Sequence, residues 1–292
     1  MTSFFTTIPV AHALWNAPRE MNLTLDWQAN SGVPLQEMTV RFKDESLELA
    51  GTLGEKELTS KASNRASVVN QYLRDGGFGN IQLTDIGVLN RLYAAAILKL
   101  LGEFYEIGKV DYNLPKIHRP GFRLSKNAKV RHFNYGGQTV VEIPTKSNFS
   151  LLVTRPTGVN DFRMVEDWKS IIAGMKLSTG NGVILPMAHI DSAKIDVSSM
   201  KGLWSDSSQG IWQIEEALMA AKFALTRASV KFEAAFAYSA KCLGFDPEHT
   251  PEPGDYVADH ALYFALAKPR YLLPLAVGLV DVTDLSMEKD LH

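Results

Sequence analysis

Apolar and polar residues change rhythm several times along the chain, and each change predicts an element. VVEIP and FSLLV, within Thr139 to Thr154, are β-rich runs around Thr145–Asn148 and predict a hairpin. Asp161 to Lys176 sets Phe162, Val165, Trp168, Ile171 and Ile172 on one side, an amphipathic helix with Asp161 as its N-cap. Ser60 to Arg74, with Ala66, Val69, Tyr72 and Leu73 on one face and a stop at Gly76-Gly77, predicts another helix. A short helix is expected over residues 4 to 17, between Pro9 and Pro18. Ala94 to Tyr105 carries Ile97, Leu98, Leu100 and Leu101 at helical spacing. Met38 to Leu49 alternates (Met38, Val40, Phe42, Leu47, Leu49) and predicts a strand or hairpin. Ile86 to Tyr93 reads as a short strand, and Gly182 to Ile190 as a strand interrupted at Pro186. Ala193 to Leu203, behind Ser192, predicts a helix, and Asn113 to Phe122, with Pro115 and Pro120, a connector.

The rest is organised around Ile211 to Thr283. Glu215 to Leu243 is Ala-rich, free of Pro up to its end, and reads as one long helix on propensity alone. GFDPEHTPEPGD follows, a loop of breakers and charges. Two apolar, β-branched and aromatic runs close the stretch, YVADHALYFALAKP and RYLLPLAVGLVDVTD, split at Lys268-Pro269-Arg270. They predict a buried antiparallel pair.

Composition narrows the function classes. With 292 residues and 46% hydrophobic content the chain has material for a sizeable core. A net charge of −2 and near-neutral pI give no nucleic-acid or membrane footprint. The single Cys242 forms no disulfide framework within one chain, and no basic and apolar leader opens the chain, so an intracellular or virion-associated setting is expected. The histidines show no metal-ligand spacing, Gly76-Gly77-Phe78-Gly79 lacks the Lys-Ser/Thr of a phosphate loop, and there is no G-x-S-x-G elbow. His189, Asp191 and Ser192 are triad residue types, but adjacent positions on a strand face opposite ways. No enzyme, cofactor or metal is expected.

A family resemblance keeps its order along most of the chain. Phe4 to Leu14, Asn90 to Tyr93, Phe104-Tyr105, Val110 to Tyr112, Phe133 to Val153 and Leu185 to Trp204 resemble successive serpin segments. Phe223 looks like the end of the strand before the reactive loop, and Glu233-Ala234-Ala235-Phe236-Ala237 resembles its hinge. Asp255 to Phe264 looks like the strand after the loop, and Leu273 to Asp281 like the closing strand. The resemblance implies one α+β serpin-like domain over 1–292, mixed sheets with surrounding helices, and an exposed loop at about 241–254. The short connector at 113–122 implies that part of the main-sheet region is missing.

In such a fold a trapping inhibitor inserts its cut hinge as a central strand, so alternate hinge residues must fit the sheet's inner face. Here one alternating set is Phe232, Ala234, Phe236 and Tyr238, and its large rings are expected to resist insertion. The scissile bond falls near Phe245-Asp246 counted from the hinge, or near Thr250-Pro251 counted back from Asp255. The expected function is a non-catalytic scaffold that binds another protein, an assembly partner or a protease, and is compatible with self-association or with a structural role such as in a virion. The alternative is a serine or cysteine protease inhibitor using 241–254.

Overall fold

Alternation in side-chain direction, read against what covers each face, explains most of the architecture. The computed structural model describes residues 2–85, 91–114, 116, 119–207, 210–233 and 251–285. The chain begins with β1 (Ser3–Phe5) and α1 (Ile8–Ala11), whose helical path continues through irregular turns to Met21. The helix expected over 4–17 therefore starts later and follows a strand.

Next come α2 (Pro34–Arg41) and α3 (Lys43–Ala50), where alternation predicted a strand or hairpin. Pro34 supplies a preset φ at the first turn, and Leu35, Met38, Phe42 and Leu49 lie at helical spacing and are all buried. The shorter period was incidental.

β2 (Leu58–Ser63) takes the front of the segment read as one helix, and α4 (Ala66–Asp75) takes the rest, ending at Gly76 as expected. β3 (Tyr93–Glu103) replaces the helix expected over Ala94–Tyr105. Over Tyr93–Leu98 it packs between α1 and α4, so both faces are apolar and its alanine run mimics a helix. The strand expected at 86–93 falls largely outside the described residues. β4 (Lys109–Leu114) and β5 (Arg119–Leu124) form a hairpin where a connector was expected, because Pro120 sits at a strand start that tolerates it.

β6 (Arg131–Tyr135), β7 (Gln138–Pro144) and β8 (Ser150–Thr154) follow, the last two being the hairpin read from sequence. Asn148 turns it at φ 56°, a left-handed position that Asn tolerates. α5 (Met164–Gly174) buries Val165, Trp168 and Ile171, and leads to β9 (Lys176–Ser178). β10 (Val183–Pro186) and β11 (Ala188–Ile195) are the strand predicted to break at Pro186. β11 runs on through the segment read as a helix from Ala193, where only a short turn at Ser198–Met200 is helical. β12 (Trp204–Ser207) and β13 (Gly210–Gln213) pair with each other. β14 (Met219–Leu225) and β15 (Ser229–Glu233) replace the long helix over the part of 215–243 that is described. The chain closes with β16 (Tyr256–Val257), β17 (Leu262–Ala267) and β18 (Ala276–Val280).

Three larger sheets result: seven strands in the order β1-β18-β17-β8-β7-β6-β9, five in the order β11-β14-β15-β3-β2, and four in the order β16-β10-β5-β4. All pairings are antiparallel except β10 with β16. The seven- and five-stranded sheets meet at an aromatic cluster. Phe223 stacks on Phe264 at 4.2 Å, and Phe4 lies 6.1 Å from Phe232 and 6.2 Å from Phe264. Gly278 allows that approach, since a Cβ there would meet Phe4 and Phe264 at 2.6 Å. The expected buried pair is β17 and β18.

Candidate functional site

The segment before the loop is held by a tight turn. Thr226 Oγ1 accepts hydrogen bonds from the amides of Ala228 and Ser229, and the Thr226 amide donates to the Ser229 carbonyl at 2.9 Å. The chain therefore reverses directly from β14 into β15. β15 lies between β14 and β3, antiparallel to both: Phe232 is opposite Phe223 on one side and Leu100 on the other. Val230 and Phe232 point inward and are fully buried. Of the alternating set read from sequence, Phe232 thus points inward, and Ala234, Phe236 and Tyr238 lie outside the described residues. The position opposite Leu100, with Phe4 at 6.1 Å, has room for a ring.

The outward residues form a charge ladder. Glu233 is paired in register with Lys222 on β14 and Lys99 on β3, and its carboxylate accepts from Lys231 Nζ at 3.1 Å. Burial lowers the Lys222 pKa, an effect opposed by the carboxylates of Glu233 and Asp191. On the edge strand His189 Nε2 lies 2.8 Å from Asp191 Oδ1, because residues two apart share a face. Ser192 Oγ instead accepts from Asn80 Nδ2 at 2.6 Å. Among the described residues no group of His, Cys, Asp and Glu could hold a metal ion.

The far side of the loop is clamped by Arg123 of β5. Its Nε meets Asp255 Oδ2 at 2.6 Å, and its terminal nitrogen meets Asp255 Oδ1 at 3.1 Å and Glu252 at 2.7 Å. The Asp255 side chain has no exposure and that of Arg123 only 8%. The Asn181 amide donates to the Gly254 carbonyl, and Gly254 adopts φ 88°. Nearby, burial lowers the pKa of His132, against whose ring Gly180 packs so closely that no Cβ would fit. Burial also lowers His260, which stands 3.1 Å from the Tyr256 hydroxyl, itself raised by desolvation.

Of the residues singled out from sequence, Glu233 ends β15 with its side chain on the outer face, and Pro251 is exposed just before the clamp. Ala234, Ala235, Phe236, Tyr238, Phe245, Asp246 and Thr250 lie outside the described residues. The turn at Thr226–Ser229 and the Arg123 clamp were missed. The turn carried a local signal, Thr-Arg-Ala-Ser between the alternating runs KFAL and VKFE. Arg123 and Asp255 are too far apart in sequence for any local signal to join them.

No protein-family model and no curated protein matches the sequence. Solved structures do resemble the fold. A serpin from Schistosoma mansoni superposes with a TM-score of 0.54 at 10% identity, over 96% of this chain and 95% of that one. Human thyroxine-binding globulin in complex with its hormone gives 0.52 at 12% identity, over 98% and 93%. A highly specific serpin of the insect Tenebrio molitor gives 0.51 at 13% identity, over 96% and 91%. With the sheet order, the strand before the loop and the buried closing hairpin in place, the chain has a serpin-like α+β fold.

Proposed function

We propose that the protein is a non-catalytic serpin-like scaffold that acts by binding another protein and does not trap proteases covalently. One observation carries this reading. Ser229–Glu233 already occupies the middle of the five-stranded sheet, with ladders to β14 and β3 and with Val230 and Phe232 buried. A trap draws its force from inserting a strand into such a sheet after cleavage, and here the ladder between β15 and β3, with Val230 and Phe232 buried behind it, opposes the opening that insertion needs. Incubation with chymotrypsin-type and papain-type proteases tests the reading. Expected are no SDS-stable adduct and, if 241–254 is nicked, a Tm change below about 4 °C. An adduct of protease and chain surviving SDS overturns it.

A reversible inhibitor is the second reading, favoured by the Arg123 clamp, which fixes the loop's exit on a buried ion pair. A bait held at its ends binds with less entropy loss. Steady-state assays decide between the readings: competitive inhibition without an adduct selects the second, and no inhibition leaves the first.

A further inference from the structure

Two neighbouring cavities are lined in part by the first residues of β3. β15 pairs with Lys99–Glu103 of β3; along Tyr93–Leu98, no described strand pairs with β3 on that side. The first cavity, of about 170 Å³, lies there and is apolar, with Pro9, Val10, Ala95, Ala96, Met219 and Ala220 in its wall. The second, of about 430 Å³, is more polar and is lined by Trp27, Arg91, Tyr93, Trp212, Glu215 and Glu216. Ala13, Leu14, Ala94 and Ile214 belong to both walls, so the two are neighbouring compartments. Together they have the size and the mix of apolar wall and few polar groups of a small-molecule site.

A residue in the wall of the second cavity carries a buried polar atom with no hydrogen-bond partner among the described residues. Tyr93 is 9% exposed, and its Oη is buried without a hydrogen bond among the described residues. A buried hydroxyl left unpaired is costly, and a ligand atom would satisfy it. The charges around it set the sign of that ligand. The described wall carries the carboxylates of Glu215 and Glu216 against the single guanidinium of Arg91. Arg91 is ion-paired with Glu215, and Glu216 accepts from the Thr84 amide at 2.8 Å. One carboxylate is left over, and the indoles of Trp27 and Trp212 add faces that attract cations.

We propose that this double cavity binds a cationic amphiphile, an aliphatic amine whose tail lies in the apolar compartment and whose ammonium donates to Tyr93 Oη beside Glu215 and Glu216. This goes beyond protein binding and does not rest on the state of the loop. The test titrates the full chain with octylammonium, below its micelle concentration, by calorimetry and tryptophan fluorescence, with octanol and octanoate as controls. Saturable binding of one octylammonium per chain is expected, with octanol and octanoate at least about tenfold weaker, the scale of one charge-assisted hydrogen bond. Tyr93→Phe is expected to weaken the amine about tenfold and octanol less. Glu216→Gln, which removes the charge but keeps an oxygen that can accept from the Thr84 amide, is expected to weaken the amine selectively. Non-saturable uptake, equal affinity for the three head groups, tighter octanoate, or an unchanged affinity in Glu216→Gln would each overturn the proposal.

Discussion

The seven-stranded and five-stranded sheets share an aromatic interface but are built differently. In the first, β17 is paired on both sides along its length and every residue from Leu262 to Ala267 is buried. In the second, the described part of β15 pairs with Lys99–Glu103 of β3, cavities adjoin the first residues of β3, and the outer face carries Lys222, Lys231, Glu233 and Lys99. The contrast teaches that one apolar interface can serve two ends. The seven-stranded sheet supplies a continuously paired base, and the five-stranded sheet carries the cavities and the charged outer face.

Changes on the two sides should separate them. Phe264→Ala removes a ring stacked on Phe223 and fully buried, and should cost about 4–5 kcal/mol in a urea melt. A melt that does not move would take β17 out of the interior. Asp255→Ala removes the buried carboxylate that meets two nitrogens of Arg123 and should cost about 3–4 kcal/mol. Its effect on protease nicking within 241–254 tells whether the clamp also holds the loop. Phe232→Ala should cost about 3 kcal/mol, at the low end for a buried ring, because its ring meets Phe4 edge-on at 6.1 Å and not in a 4.2 Å stack like that of Phe264. A loss equal to that of Phe264→Ala would erase the difference between the sheets.

The smallest effect is in pH. His132 on β6 and His260 before β17 both have pKa values lowered by burial, as has His12 beside the five-stranded sheet. Their unfolded forms take up protons first as pH falls through about 6.5, so folding stability is full above that pH and declines below it. Thermal melts at about pH 7.5 and pH 5.5 should show the drop, and His132→Gln should make it shallower. A Tm rising on acidification would contradict the burial of these rings.

Much of the rigid side was legible. The hairpin over Thr139–Thr154, α5 and the closing pair β17/β18 were read from local pattern, because each has its turn and its apolar face in consecutive residues. The candidate site was legible only in outline. Ala94–Tyr105 and Glu215–Leu243 read as helices, since alanine propensity and two-sided burial hide the strand period. The order of segments still pointed to the loop flank through Phe223 and Glu233.

By itself, then, the sequence determined where the chain turns, which runs must be buried, and that its charge and residue spacing carry no metal or nucleophile motif. Only the tertiary structure decided that β15 lies between β14 and β3, that Phe232 fits inward, and that Arg123 meets Asp255. The physical reason is range. Turns and apolar periods are set by neighbours in sequence, whereas strand order, the pairing of a buried charge and the cavities beside β3 depend on residues brought together from opposite parts of the chain.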